Sequence, residues 1–178
     1  MKANKTESVL IVVDIQERLS PHIKGINEII SNAKKLIRAC QIFGIPIIVT
    51  EQMKLGSTVK ELRELMNIRP IEKTSFSCAE EKAFLEELEK IKRKKCIILG
   101  IEAHICICQT ALDLISLGYE VHIVIDAIGS RKEIDKEVAI EKMLRAGAIP
   151  TTAEMIMYEL LKDARAEEFK DILSIVKE

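Results

Sequence analysis

The sequence lacks the features that would assign it to a membrane-embedded or nucleic-acid-binding class. None of its apolar runs approaches the roughly 20 residues needed to cross a bilayer, so we expect no membrane insertion. Lysine and arginine number 27 against 28 aspartates and glutamates, and the two signs are interleaved along the chain. No basic surface for a phosphate backbone is therefore indicated, and we expect no nucleic-acid partner.

A C-x-x-C pair is also missing, although the chain has five cysteines. An odd number of scattered cysteines is typical of reduced thiols and not of a disulfide framework, and without paired cysteines zinc is not indicated. The first eight residues, MKANKTES, contain neither an apolar segment nor an arginine-rich amphipathic stretch. We therefore expect no targeting signal and a cytoplasmic location.

No linker rich in proline, glycine or serine, no repeat and no low-complexity run divides the chain, which predicts a single domain over residues 1–178. Near-continuous apolar runs alternate with segments of helical spacing. The predicted strands are 10–13, 45–49, 96–99 and 121–125, and the predicted helices include 29–43, 59–66, 151–161 and 166–176. Buried strands separated by helices favour an α/β fold, a three-layer α/β/α sandwich with a mainly parallel sheet.

In such a sheet, ligands bind beyond the carboxyl ends of the strands. Asp14, Glu51, residues 100–106 and Asp126 each follow a predicted strand. The least regular segment, residues 53–77, is expected to form a lid or wall over this edge. The sequence thus predicts that the functional groups collect at one edge of the sheet.

Cys106 lies where the strand 96–99 is expected to end at Gly100 and a helix is expected to begin at His104. The positive end of a helix stabilises a thiolate, so Cys106 is a candidate nucleophile. Taken alone, a buried cysteine packs as a small hydrophobe, Asp14 caps a turn, and Lys73 lies on the surface. Taken together, the three form a nucleophile, a base and a cation at one end of one sheet.

Three motifs resemble the isochorismatase-like cysteine hydrolases: VVDIQERL around Asp14, IEKTSFS around Lys73, and GIEAHICICQTALDL around Cys106. The resemblance extends to GIPIIVTEQ and DAIGSR and covers nearly the whole chain. Within the family, the long third motif is most similar to isochorismatase domain-containing proteins. The implied fold is isochorismatase-like, a Rossmann-like α/β sandwich.

The resemblance implies a catalytic triad of Asp14, Lys73 and Cys106. In it, Cys106 attacks a carbonyl carbon to give a thioester, Asp14 takes the thiol proton and later activates water, and Lys73 keeps Asp14 ionised and supports the thiolate. It further implies an oxyanion hole made by the backbone amides of Glu102 and Cys106, and a non-proline cis peptide between Ile101 and Glu102. No cofactor is implied, and a homo-oligomer is expected, with residues 139–146 and the C-terminal helices as candidate contact surfaces.

Two departures from the family narrow the expected reaction. Nicotinamidase-type members carry a D-x-H metal-ligand motif where this chain has Glu51, Gln52 and Met53, so no metal site is expected. Isochorismatase proper lacks the nucleophilic cysteine, whereas this chain has Cys106, which favours C–N bond hydrolysis of a small-molecule substrate. The alternatives are a redox or thiol-sensing protein with a low-pKa Cys106, and a non-catalytic regulatory oligomer.

Four residues are nominated for the substrate pocket: Leu19, Met53, Phe76 and His104. For His104 a helix-capping role ranks ahead of a pocket role. For Phe76 a place in the core is an equal alternative, because either use buries a large ring. Cys108, about 200° around the helix from Cys106, is expected to point away from it.

Overall fold

The computed structural model describes residues 1–178 and contains one six-stranded sheet. Its strands are β1 (Ser8–Val13), β2 (Ile47–Gln52), β3 (Ile71–Lys73), β4 (Lys95–Ile101), β5 (Glu120–Gly129) and β6 (Ile149–Thr151). The spatial order is β3-β2-β1-β4-β5-β6, and every neighbouring pair is parallel. The predicted parallel sheet is therefore confirmed, with the strand order of a Rossmann-like fold.

Seven α-helices cover the two faces of the sheet. They are α1 (Ile26–Ile42), α2 (Lys60–Arg63), α3 (Lys82–Ile91), α4 (Cys108–Ser116), α5 (Glu133–Arg145), α6 (Ala153–Leu161) and α7 (Phe169–Val176). Helices α1, α2, α6 and α7 pack on one face around 29 buried apolar residues, and α3, α4 and α5 pack on the other around 22. The three-layer α/β/α sandwich is confirmed. None of these helices is both long and apolar enough to cross a bilayer.

The central strands are apolar on both faces, and this explains why they were readable from the sequence. In β1, Val9 to Val13 are completely buried, with alternate side chains entering the two cores. A strand covered on both sides gains from an unbroken apolar run, and the β-branched residues that dominate this one also fit the pleated backbone. This run places the following residue, Asp14, at the centre of the sheet.

Several element boundaries differ from the predicted ones. Strand β4 does not end at Gly100 but continues to Ile101, because Gly100 pairs with Val13 and packs against its backbone. A Cβ added at Gly100 would lie 2.1 Å from the Val13 carbonyl oxygen, so only glycine fits there.

The edges of the sheet contain two short strands that the sequence pattern did not indicate. Strand β3 lies inside the segment predicted to be irregular, and β6 occupies the start of the predicted helix 151–161, so that α6 begins only at Ala153. Strand β5 continues past its predicted end through a shift in its register with β4. Asp126 consequently lies inside β5, where its carboxylate accepts a hydrogen bond from the Ala153 amide at the start of α6 (2.8 Å).

Candidate active site

The three candidate catalytic residues come from three strand ends at the carboxyl edge of the sheet. Asp14 directly follows β1, Lys73 is the last residue of β3, and Cys106 lies in a π-helical turn, Ala103–Ile107, between β4 and α4. Strands β1 and β4 are neighbours, and the sheet grows outwards in opposite directions from this pair. Rossmann-like sheets have their ligand-binding crevice at this point. Residues far apart in sequence are thus brought to one point.

Asp14 and Lys73 form a buried ion pair. The Lys73 Nζ lies 2.7 Å from Asp14 Oδ2, and both side chains are inaccessible to solvent. The same Nζ lies 3.5 Å from Cys106 Sγ, and Cys106 is itself only 6% exposed. Carboxylate, ammonium and thiol are therefore in contact in a space shielded from water, where charges interact more strongly than at the surface.

Asp14 adopts a left-handed backbone conformation, with φ +53°, which aspartate tolerates better than most residues. Its Oδ1 accepts a hydrogen bond from the Thr50 hydroxyl at 2.7 Å. Its Oδ2 faces Lys73 in an ion pair but accepts no well-directed hydrogen bond. One carboxylate oxygen is thereby fixed, and the other remains able to accept a proton.

The Lys73 ammonium is surrounded by acceptors in addition to Asp14. It donates to Gln52 Oε1 at 2.6 Å and to the carbonyls of Ser75 and Phe76 at 3.1 Å each. Burial by itself disfavours the charged amine, but neighbouring charges, chiefly that of Asp14, outweigh burial, so the pKa of Lys73 is raised. Lys73 is therefore a permanent cation at neutral pH and not a surface residue.

The Cys106 thiol is not a low-pKa thiol. Burial, and then the charge of Asp14, raise its pKa to about 12, and the opposing charge of Lys73 does not compensate. This differs from the expectation that Lys73 and the helix end support a preformed thiolate. The thiol is protonated at neutral pH and needs a base to become a nucleophile.

Two glutamines complete the site, and the sequence analysis did not identify them as functional. Gln52 donates to the carbonyls of Lys73 (3.3 Å) and Thr74 (2.9 Å), which forces its Oε1 towards the ammonium. Gln16 in turn accepts from the Gln52 amide (2.8 Å) and donates to the carbonyls of Gln52 (3.0 Å) and Gly56 (2.7 Å). Both glutamines lie inside the quoted motifs VVDIQERL and GIPIIVTEQ, so the motif resemblance is the sequence feature that could have indicated them.

A second thiol was also missed. Cys78 is buried, and its Sγ lies 3.8 Å from the Thr50 hydroxyl that binds Asp14. Burial and the charge of Asp14 raise its pKa to about 11. Cys108 lies in the same buried cluster as Cys78 and Cys106, on the α3–α4–α5 face of the sheet.

The turn after β4 has the geometry that the resemblance implies, since the Ile101–Glu102 peptide bond is cis. The amides of Ile105 and Ile107 donate to the Glu102 carbonyl at 3.2 and 3.3 Å. The turn is π-helical, so Cys106 does not lie in the first turn of an ordinary α-helix as expected.

The nominated pocket residues have different surroundings. Met53 and Phe76 are 55% and 54% exposed, so the core alternative for Phe76 is wrong. Leu19 is half-buried against the core beneath α1. His104 does not cap its helical turn, which has no side-chain cap; its Nδ1 lies 3.0 Å from the Ser130 hydroxyl and 3.4 Å from a Glu102 carboxylate oxygen.

The segment that replaces the D-x-H motif is engaged in local hydrogen bonds. Glu51 Oε1 accepts from the amide (2.6 Å) and the hydroxyl (2.7 Å) of Thr58. Met53 projects into solvent, and Gln52 binds Lys73 as described. These contacts hold the loop after β2 against the sheet and give the position a structural use.

Comparison with known proteins agrees with this architecture. Residues 8–155 match the family model described as "Isochorismatase domain". The chain is 42% identical to isochorismatase domain-containing protein 1 of Danio rerio over 175 residues, which are 96% of this chain and 61% of the relative. The chain therefore spans less than two thirds of that relative's length.

Two solved structures superpose closely. The "MAR1 Ribonuclease" of Caenorhabditis elegans is 38% identical, with a TM-score of 0.95 over 100% of this chain and 93% of its own. YcaC of Pseudomonas aeruginosa, solved with hexane-2,5-diol and covalent acrylamide, is 24% identical, with a TM-score of 0.91 over 98% of this chain and 91% of its own. The second supports the fold alone. From the family model and the identities together, the chain belongs to the isochorismatase family.

Proposed function

We propose that the protein is a cofactor-free cysteine hydrolase that cleaves the C–N bond of a small carboxamide through a thioester on Cys106. The observation that carries this proposal is the buried contact of Asp14, Lys73 and Cys106. The Lys73 Nζ lies 2.7 Å from Asp14 Oδ2 and 3.5 Å from Cys106 Sγ. A buried carboxylate and ammonium are costly to desolvate, so their presence beside a thiol favours a chemical role over packing.

The first step follows from the protonation states. Because burial raises the pKa of Cys106 to about 12, the thiol proton passes to Asp14 Oδ2 as the sulfur attacks the carbonyl carbon. Lys73 does not hold a resting thiolate in this mechanism. It balances the Asp14 carboxylate before the transfer and the developing negative charge on sulfur and oxygen during it.

The backbone amides of Glu102 and Cys106 are proposed to receive the carbonyl oxygen as it becomes negative. Such preorganised donors are worth roughly 3 kcal/mol each in the transition state. Asp14 then gives its proton to the leaving nitrogen, and ammonia or an amine departs. Deprotonation of water by the same carboxylate allows attack on the thioester and regenerates the thiol.

Two exposed side chains adjoin Lys73, because the Met53 amide donates to the Lys73 carbonyl at 2.9 Å and the Phe76 carbonyl accepts from the Lys73 ammonium at 3.1 Å. We propose that Met53 and Phe76, with Leu19, border the substrate.

The test is a panel of small amides and carbamates assayed for ammonia release. Cys106→Ala and Asp14→Asn are each expected to abolish turnover while the far-UV circular dichroism is unchanged. Cys108→Ala is the matched control, because it removes a buried thiol only two residues away from Cys106 in the sequence. An acyl adduct on Cys106 by mass spectrometry would support the thioester, and full activity in Cys106→Ala against an identified amide would refute it.

RNA cleavage is a second candidate, favoured by the name of the Caenorhabditis elegans relative. The charge balance of −1 and the enclosure of the Lys73 ammonium by protein acceptors argue against phosphate binding at this site. Incubation with a defined single-stranded RNA separates the two. Cleavage that depends on Asp14 and Cys106 would replace the amide proposal.

The thiol-sensor alternative is disfavoured by the raised pKa of Cys106, because sensor cysteines react as thiolates. Sedimentation of the wild type at several concentrations tests the expected homo-oligomer, which the regulatory alternative also requires. Exposed apolar side chains on α5, Ile134 and Val138, support an association surface there. We also propose that residues 1–178 form a single domain.

A further inference from the structure

Besides Asp14 and Lys73, one other side chain among the aspartates, glutamates, lysines and arginines is buried, and it belongs to Glu102. The residue is 3% exposed, and its side chain 5%. A carboxylate in this position is costly unless it is paired and hydrogen-bonded. The proposed function uses only the backbone amide of Glu102, so its side chain needs a separate explanation.

Arg131 binds both oxygens of this carboxylate. The Arg131 backbone amide donates to Glu102 Oε2 at 3.1 Å, and the guanidinium Nε donates to Oε1. Arg131 follows β5, whose last residue, Gly129, pairs with Ile101 of β4. The ion pair therefore connects the two chain segments that leave neighbouring strands at the carboxyl edge of the sheet.

A second set of contacts fixes the same carboxylate from the side of the helical turn. His104 Nδ1 lies 3.4 Å from Glu102 Oε2 and 3.0 Å from the Ser130 hydroxyl, and its Nε2 lies 3.8 Å from Asp135 Oδ2 in α5. The Glu102 carbonyl is held independently by the Ile105 and Ile107 amides. Glu102 is thus anchored through its side chain and its carbonyl at once, which leaves little freedom for rotation about the backbone bonds on either side of its Cα and so restricts where its amide points.

We propose that the Glu102–Arg131 ion pair is a positioning device that aims the Glu102 amide at the oxyanion of the acylation step. This inference rests on the proposed function. Glu102 and Arg131 act through backbone geometry and not by contact with the reacting thiol. Loss of the pair is expected to slow the step in which negative charge develops on a carbonyl oxygen, and to leave the intrinsic reactivity of Cys106 unchanged.

Two reagents for Cys106 separate these effects. With p-nitrophenyl acetate, sulfur bonds to the carbonyl carbon, the thiol proton moves to Asp14, the carbonyl oxygen takes the negative charge, and p-nitrophenolate then departs to leave the acetyl thioester. With iodoacetamide, the thiol proton is lost to solvent, sulfur displaces iodide from a saturated carbon, and the carbonyl oxygen gains no charge. Only the first reaction needs an oxyanion hole.

The experiment compares both rates in wild type, Arg131→Ala, Glu102→Gln and the double variant, with peptide mass spectrometry locating the adduct on Cys106. Misplacing a fixed donor lowers a rate by roughly 100-fold. Acetylation is expected to slow about 10- to 100-fold in each single variant, and alkylation less than about threefold. The double variant is expected to be no slower than the slower single variant, because both remove one interaction.

The matched control is the exposed ion pair of Glu141 with Arg145 on α5. Arg145→Ala and Glu141→Gln remove the same two groups from a solvated surface and are expected to leave both rates unchanged. A thermal melt of each variant identifies any loss of folding.

Each remaining outcome has a distinct meaning. If wild type is acetylated at Cys106 and Arg131→Ala is acetylated equally fast, the positioning role is wrong and the proposed function survives. If both reagents slow equally in the variants, the pair is structural and the inference is again wrong. If wild type acquires no acetyl group on Cys106, the thioester mechanism itself fails, and the inference fails with it.

Discussion

Replacement of Lys73 by methionine is the most severe test of the buried site. The substitution keeps the apolar stem of the side chain but removes the ammonium 2.7 Å from Asp14 Oδ2. Asp14 then remains as an unpaired carboxylate at zero exposure, with the Thr50 hydroxyl as its one side-chain hydrogen-bond donor. Breaking a buried pair from one side destabilises a fold by about 3–5 kcal/mol.

For a chain of this length, that loss corresponds to a fall in Tm of roughly 6–20 °C. The assay is urea unfolding followed by circular dichroism at neutral pH, with Lys60→Met as the control. Lys60 forms an exposed pair with Glu64 on α2 at 3.6 Å, and its loss is expected to change stability by less than about 0.5 kcal/mol.

The double variant Asp14→Asn with Lys73→Met is expected to be more stable than Lys73→Met alone, because no unpaired charge is then left buried at this site. This ordering is what distinguishes electrostatic destabilisation from loss of packing. The reasoning is refuted if Lys73→Met unfolds within about 1 kcal/mol of wild type, or if adding Asp14→Asn destabilises it further.

Three further outcomes are expected. The rate of Cys106 alkylation by iodoacetamide rises about tenfold per pH unit from pH 7 to about pH 10, since the thiol pKa is about 12, whereas a plateau near neutral pH would favour a sensor. Gly100→Ala is expected to prevent folding or to lower the Tm severely, because its Cβ would lie 2.1 Å from the Val13 carbonyl oxygen. Gly118 has φ +82° and open space around it, so Gly118→Ala is expected to lower the free energy of unfolding by only about 1 kcal/mol, as measured by a thermal melt. The free energy of unfolding is expected to fall above pH 9, because burial raises the pKa of the Cys40 thiol from 9.0 to about 12. Between these values the thiol stays protonated in the native state and ionises in the unfolded state. The stability that Cys40 contributes is therefore present below pH 9 and is lost as the pH rises towards 12. Its slope is about 1.4 kcal/mol per pH unit, and urea titrations at alkaline pH should find this component missing in Cys40→Ala.

The parts of the fold that could be predicted from sequence are those in which burial on both faces leaves a pattern. Strand β1 is an unbroken apolar run, so its end, and with it the place of Asp14, could be predicted. Strand β3 has only three residues, and it exists because β2 pairs with it from Thr50 to Gln52. Pairing of that kind is a tertiary effect that no local pattern encodes, and it is what places Lys73 beside Asp14.

The three candidate catalytic residues could be predicted, whereas the second thiol and the glutamine amides could not. Asp14 and Cys106 are chemically conspicuous after predicted strands, and the motif resemblance selected Lys73 with them. Gln16 and Gln52 are polar residues in ordinary loop positions, and their role depends on hydrogen bonds across the loop after β2. The raised pKa of Cys106 was unpredictable for a related reason: desolvation depends on how completely neighbouring elements cover the sulfur, which sequence position does not reveal.

Under the proposed mechanism, the order of strands also makes activity depend on how much of the sheet has assembled. Asp14 comes from a central strand, whereas its counter-ion arrives on the outermost strand, β3, through only three paired residues. A chain in which β1, β2 and β4 had joined but β3 had not would carry the thiol and the base without the cation. During refolding, recovery of the proposed hydrolysis is therefore expected to follow recovery of secondary structure, and a variant that weakens only β3 is expected to keep its circular dichroism and lose that activity.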